Sequence, residues 1–397
     1  MFNRQLTDSL LKAVASFPVT VLTGPRQSGK TTLLRQSFPN YLYVSLESPD
    51  QLMMAKADPR GLLASADQGL IIDEAQNYPA LFSYIQEMVD IGKPGKIILS
   101  GSQNFLLAEK ISQTLAGRAA LLELLPLTYA EYKSDETSRD LSLCEYLYHG
   151  SYPRPYHEHI PTTIWYDSYI RTYLERDVRS LVNVRDLSQF QLFLKYCAGQ
   201  HGQEFNASNI ATSLGMSQTN VMHWLSILEA SYIVFRLQPF YKNYKKRLSK
   251  RSKLYFYDTA IVSRLLGIES PEHLAIHASR GAIFEGFVIT EVIKAFYAVA
   301  KRAPIYYWRE HGGLEVDLLV EKSDQLFAFE AKSGMTINVE QLSGLQKLQN
   351  TITDCPLRSL LIYGGDITRK INNIDILSWR NFISNAGIIT SSIDLPP

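Results

Sequence analysis

Eight residues carry the sharpest chemical signal in the chain: Gly24-Pro25-Arg26-Gln27-Ser28-Gly29-Lys30-Thr31, followed by Thr32. The spacing is G-x-x-x-x-G-K-T. It follows an apolar, β-branched run at 17–23 and opens a helix at 32–34. A turn that wraps a phosphate with its own N–H groups tolerates no bulk at its glycines, and the next helix offers unpaired donors to the anion. Lys30 is placed to reach the β- and γ-phosphates and the Thr31 hydroxyl to ligate Mg²⁺. The apolar run 69–72 ends in two adjacent carboxylates. Asp73 is expected to hold Mg²⁺ through water, and Glu74 to polarise the attacking water. After the strand 96–100, Ser102 is expected to sense the γ-phosphate, with Ser100 as its rival. Arg118, in the phrase LAGR, is read either as reaching the phosphates of its own chain or of a neighbouring subunit, or as a surface or structural arginine. The cofactors are then ATP and Mg²⁺, and the reaction is ATP hydrolysis.

A second constellation lies in the last third. Residues 314–320 and 326–332 read as strands, where side chains two apart share a face. Glu315 and Asp317 point one way, and so do Glu330 and Lys332. Carboxylates and a lysine on adjacent apolar strands are costly to bury unless they bind something. Asp317 followed by Glu330 and Lys332 resembles the core of PD-(D/E)xK nucleases. That resemblance implies that Asp317 and Glu330 hold a metal, that Glu285, on a helix over 281–300, completes the set, and that Lys332 orients an attacking water or stabilises a pentavalent phosphorus.

These groups need a scaffold of several elements. The 397 residues suggest two or three domains. A hydrophobic share of 46% with 11% aromatics supplies real cores and excludes a disordered chain. Forty Lys+Arg against 39 Asp+Glu exclude a histone-like polycation but leave room for a local basic surface. Cys144, Cys197 and Cys355 lack C-x-x-C spacing, so neither a disulfide framework nor a cysteine zinc site is expected. No run of 18 apolar residues and no signal-like start is present, so a cytoplasmic protein with no membrane partner is expected.

The middle reads as helical. Residues 164–181 show helical periodicity, and Arg176 or Arg179 is a phosphate contact in trans or a member of helix ion pairs. Another helix covers 187–198. Residues 205–225 read as helix, tight turn at Gly215, helix, with Ser217 as a cap. Ser217, Gln218, Thr219, Asn220 and His223 are then exposed and polar, as base-edge readers are. A strand at 231–237 and the basic stretch 241–253, with seven Lys or Arg in thirteen residues, complete a winged-helix pattern. The partner this implies is nucleic acid, bound through 208–253; the rival is a solvated hairpin or a protein-binding lid.

The phrases GPRQSGKTTL, LIIDEAQ, LSGSQ, LAGR and LLPLTYAEY resemble bacterial and archaeal ATPases of the AAA+ superfamily that carry a C-terminal DUF4143 domain. YIRTYLERDV, GAIFEGFVITEVIK, YYWREHGGLEVDLLV and FEAKSG extend the resemblance over almost the whole chain. Asp317, followed thirteen residues later by Glu330-Ala331-Lys332, also resembles the PD-(D/E)xK nuclease core, with Val316 where that motif has proline. The expected fold class is α/β: an AAA+-like P-loop NTPase parallel sheet, a helical and winged-helix module, and an α/β nuclease-like domain. The expected boundaries are 1–135 for the ATPase, 136–200 for a helical linker, 201–258 for the winged helix and 259–397 for the DUF4143-like domain. The expected function is an ATPase that couples its nucleotide state to DNA binding and a nuclease-like module. The alternative is a signalling or scaffold ATPase whose nuclease-like domain is inactive and binds a protein partner, with a homo-oligomer as a further expected state.

Overall fold

The central apolar runs of the first third bury completely, as strands covered on both faces must, and the two edge runs stay partly exposed. In the computed structural model they are β1 (Val19–Thr23), β2 (Leu42–Ser45), β3 (Leu70–Asp73), β4 (Ile97–Gly101) and β5 (Ala119–Glu123). They form a parallel sheet in the order β2-β3-β4-β1-β5. Every residue of β1, β3 and β4 is buried. Alternate side chains feed two cores: Val19, Val21, Ile72 and Leu99 pack with Leu81 and Ile85 on one face, and Leu22, Ile71 and Ile98 pack with Leu10 and Leu34 on the other. The structure describes residues 2–65, 68–92, 96–102, 114–174, 187–241, 251–310, 313–322, 325–384 and 390. The chain forms two units, the first comprising residues 1–127, 230–232 and 296–301, and the second the remainder.

The second unit begins with short, well-capped helices. Thr128 and Ser142 each close a capping box with the glutamate three residues on, Glu131 and Glu145. The helix Thr162–Tyr169 passes into a wider π turn at Ile170–Leu174. Arg176 and Arg179 lie outside the described residues. The helix Leu187–Gly199 is followed by β6 (Gln203–Glu204) and the helix Ala207–Leu214. Gly215 then turns the chain in the left-handed conformation (φ 63°), and the helix Gln218–Ala230 follows. β7 (Val234–Leu237) and β8 (Lys253–Phe256) pair antiparallel, and β6 joins the free edge of β8. Asp258 accepts from the Ala260 and Ile261 amides and so caps the helix Thr259–Leu265, as the sequence predicts.

The last part of this unit is a six-stranded mixed sheet in the order β13-β14-β12-β11-β10-β9. Its strands are β9 (Ile305–Arg309), β10 (Glu315–Lys322), β11 (Gln325–Lys332), β12 (Leu357–Tyr363), β13 (Arg369–Ile371) and β14 (Ile374–Ser378). The hairpin β10–β11 is antiparallel, and β12 returns parallel to β11. Leu345 and Leu348 of the helix Ser343–Thr351 pack with Val316, Leu319, Ala328 and Leu361. Between Val316 and Leu319 the pairing of β10 with β9 shifts by one residue. This bulge falls at Asp317, and bulges re-aim the side chains they carry.

Candidate functional site

The register of the first sheet brings one set of chemical groups to one edge. Thr23 pairs with Gly101, Ser45 with Asp73 and Ile72 with Leu99, so β1, β2, β3 and β4 end within about one residue of one another. The loop 24–29 leaves that edge and enters the helix Lys30–Ser37. Gly24 (φ 147°) has no substitute, because a Cβ there would stand 2.1 Å from the Leu124 carbonyl oxygen. The Arg4 guanidinium braces the loop by donating to the carbonyls of Ser28 and Leu125, each at 2.6 Å. Lys30 is buried and donates to the carbonyls of Gly24 and Pro25 at 2.9 and 2.8 Å. Burial lowers its pKa to about 8, against the opposing pull of Glu74 and Asp73.

Asp73 is the hub. Its carboxylate accepts from Thr31 Oγ1 (2.6 Å), Ser100 Oγ (2.6 Å), Tyr43 OH (2.8 Å) and the Glu74 amide (3.1 Å). Glu74 follows in the left-handed region (φ 53°), unusual for a side chain of this size, and accepts from Ser102 Oγ at 3.2 Å and from the Gln76 amide. Ser100 and Ser102 are therefore not rivals: one holds the aspartate, the other touches the glutamate. Among the described residues the buried hydroxyl of Ser28 has no hydrogen-bond partner, so the loop keeps a donor for a phosphate oxygen. Thr31, Asp73 and this donor fit a Mg²⁺–nucleotide. Arg118 is not in the group. It precedes β5, which starts in register with the start of β1, so it stands at the opposite edge, about 16 Å away for a five-residue strand. Its guanidinium pairs with Asp90 at 2.6 Å. Sequence reasoning missed Arg4, Tyr43 and Tyr232, whose hydroxyl lies 2.8 Å from both Thr23 Oγ1 and Glu123 Oε1. No spacing rule points to them.

In the second unit β10, β11 and the helix Arg280–Ala298 bring four carboxylates together. One oxygen from each of Glu285, Glu315 and Asp317 lies within 4.8 Å of the others. Asp317 Oδ2 accepts from the Ala331 amide at 2.8 Å, which ties β10 to the Glu330 segment of β11. Glu330 is 6% exposed, its Oε1 accepts from Lys332, and its Oε2 is buried with no hydrogen-bond partner among the described residues. Burial, then Asp317, raises the Glu330 pKa well above the usual range; Lys332 opposes this. Glu285 is pushed up to about 7 by burial and by Asp317, against Lys253. An orphaned, buried carboxylate oxygen beside a carboxylate trio is the donor set a hard divalent cation takes. Glu285, Asp317, Glu330 and Lys332, all read from the sequence, come together here.

Two residues join them. Glu315 enters as a third member of the trio. Lys253 comes from β8, and its ammonium donates to Glu285 at 3.0 Å and bonds Glu315 more closely still. The sequence reading placed Lys253 in a basic stretch taken either as a nucleic-acid-facing wing or as a solvated hairpin. The structure corrects this: the residue is 5% exposed and faces carboxylates. Residues 242–250, the bulk of that stretch, lie outside the described residues. In the helix Gln218–Ala230, Val221, Trp224, Leu225 and Leu228 are buried, while Ser217, Gln218, Thr219, Asn220 and His223 are exposed. Ser217 Oγ accepts from the Asn220 amide at 3.1 Å, the expected cap.

Three families match along the chain: an AAA domain over 16–133, a domain of unknown function (DUF8612) over 140–272 and a domain of unknown function (DUF4143) over 280–382. The uncharacterized protein Rv2008c of Mycobacterium tuberculosis is 32% identical over 371 residues, covering 92% of this chain and 80% of the relative. An uncharacterized protein of Haemophilus influenzae is 22% identical, covering 84% and 86%. Among solved structures, the Walker-type ATPase PABY2304 of Pyrococcus abyssi is 17% identical and covers 67% of this chain and 96% of that one, with a TM-score of 0.41. AMPPCP-bound DnaA from Aquifex aeolicus is 14% identical over 56% and 85%, with a TM-score of 0.28. No described helix is long and apolar enough to cross a membrane.

Proposed function

Because the chain belongs to the family of the uncharacterized protein Rv2008c and itself matches an AAA domain and a DUF4143 domain, we propose that it hydrolyses ATP at the 24–32 loop and couples its nucleotide state to a DNA-binding module and a nuclease-like centre. One observation carries the first part: Thr31, Ser100 and Tyr43 converge on Asp73, with Glu74 and Ser102 beside them. Lys30 and the loop amides bind the β- and γ-phosphates, Thr31 and Asp73 orient the metal, and Glu74 takes the proton of a water attacking in line. Ser102 reads the γ-phosphate through its bond to Glu74. At both centres a bound divalent ion supplies charge neutralisation at phosphate oxygens.

Residues 201–258 make a winged-helix module in this reading, with the exposed polar face of the helix Gln218–Ala230 turned to DNA. In the C-terminal centre Asp317, Glu330 and Glu285 hold the metal and Lys332 orients the attacking water. The orphaned Glu330 Oε2 supports that assignment. A second reading, a scaffold ATPase with an inactive nuclease-like domain, is favoured by the Lys253 ion pairs with Glu285 and Glu315. Labelled single- and double-stranded DNA and RNA, incubated with the protein, Mn²⁺ or Mg²⁺ and ATP, separate the two. Metal-dependent cleavage that disappears in Asp317→Ala, whose ATP turnover stays intact, is the expected result. No cleavage by any protein, with turnover intact, establishes the scaffold reading instead.

A further inference from the structure

The carboxylates of the C-terminal centre already face a cation of the chain's own. Glu285, Glu315 and Asp317 gather their oxygens within 4.8 Å, a spacing suited to one central ion. The Lys253 ammonium is bonded to two of the three. It is 5% exposed, sits in a strand paired on both sides, and has the Tyr307 ring 5.5 Å from its nitrogen. A buried ammonium with two carboxylates and an aromatic face is well held. It uses the oxygens that a divalent ion would need.

We propose that Lys253 is a built-in competitor for metal: its ammonium fills the Glu285–Glu315–Asp317 pocket, and a divalent cation loads only as that ammonium gives way. This rests on the reading of the centre as a metal site and adds its regulation. The charges are consistent. Glu285, Glu315, Asp317 and Glu330 face two lysines, Lys253 and Lys332. Withdrawal of the Lys253 ammonium removes one positive charge from among these carboxylates and leaves the centre more negative by one. A metal therefore meets a stronger field and a free set of oxygens once Lys253 has withdrawn. Glu330 Oε2 is buried and, among the described residues, has no hydrogen-bond partner, and no ion pair of Glu330 with Lys253 stands beside its pair with Lys332. β8 follows the helix-turn-helix and β7 in the chain, which places the control of the centre on the segment next to the proposed DNA-binding helix.

The test is a Mn²⁺ titration of the full-length protein, followed by electron paramagnetic resonance of the free ion. The unmodified centre, Lys253→Met, Lys253→Arg and Asp317→Ala are compared without nucleotide in the Asp73→Ala background, which removes the metal-holding carboxylate of the nucleotide site. Lys253→Met is expected to bind roughly tenfold more tightly or better than the unmodified centre, Lys253→Arg to stay near it, and Asp317→Ala to lose binding. Equal or weaker binding by Lys253→Met, with the unmodified centre binding Mn²⁺, overturns the competitor and leaves the metal reading standing. No binding by either protein overturns both. Should Lys253→Met fail to fold, Lys253→Gln, which keeps a polar end without the charge, decides by the same titration.

Discussion

Residue chemistry in the first unit divides cleanly between two serines. Ser100 donates to Asp73, Ser102 to Glu74, and the two acids have different work. Removing a hydroxyl that orients a metal-bearing carboxylate typically costs tenfold or more in metal affinity or activity. Ser100→Ala is expected to raise the Mg²⁺ concentration needed for half-maximal ATP turnover about tenfold, with excess Mg²⁺ restoring the rate. Ser102→Ala is expected to slow turnover at all Mg²⁺ concentrations. Identical Mg²⁺ titrations for the two variants would contradict the division. Lys30, Thr31, Asp73 and Glu74 were legible in the sequence because fixed spacing and strand ends define them. The serines were legible only as a pair, since assigning each to its acid needs the register of β3 against β4. Arg4 and Tyr43 left no trace, because each acts through a fold contact dozens of residues away in sequence.

At the scale of elements, periodicity carried most of the reading. The helix, Gly215 turn, helix arrangement and the β10–β11 hairpin lie where alternation and capping residues put them. Strand direction was the missing variable for Arg118. A residue just before a parallel strand and one just after its neighbour lie at opposite edges, however close they look in a motif list. The bulge in β10 was equally silent, and with it the approach of Glu315 to Glu285. His201 shows an element junction with a measurable consequence. Its ring, between the helix Leu187–Gly199 and β6, accepts the Phe256 amide of β8 at Nδ1 and packs where a side chain on Gly286 would clash. Burial lowers its pKa from 6.5 to about 3. The neutral ring is the folded form, so its contribution is complete above pH 6.5 and is lost as pH falls toward 3. Chemical denaturation from pH 6.5 to 4.5 is expected to cost wild type about 1 kcal/mol more per pH unit than His201→Gln. Equal pH slopes would contradict a buried neutral imidazole.

For the whole molecule, the order along the chain is the informative fact. A phosphate-binding sheet comes first, a helix-turn-helix with an exposed polar face follows, and a sheet bearing a carboxylate centre comes last. Each has its own chemistry, and Lys253 shows that the helix-turn-helix segment and the carboxylate centre share at least one charged contact. That contact was hidden in the sequence because a lysine at the end of a basic run looks like its neighbours until β8 turns it inward. The account stands on ATP turnover by the first of these parts. The most direct measurement is ATP binding and hydrolysis by Glu74→Gln beside wild type, with Lys30→Ala as the protein that fails to bind. The account predicts wild-type ATP affinity for Glu74→Gln and turnover lower by about a hundredfold or more. Wild-type turnover in Glu74→Gln would contradict the role given to Glu74, and ATP binding by Lys30→Ala at wild-type strength would contradict the nucleotide site itself.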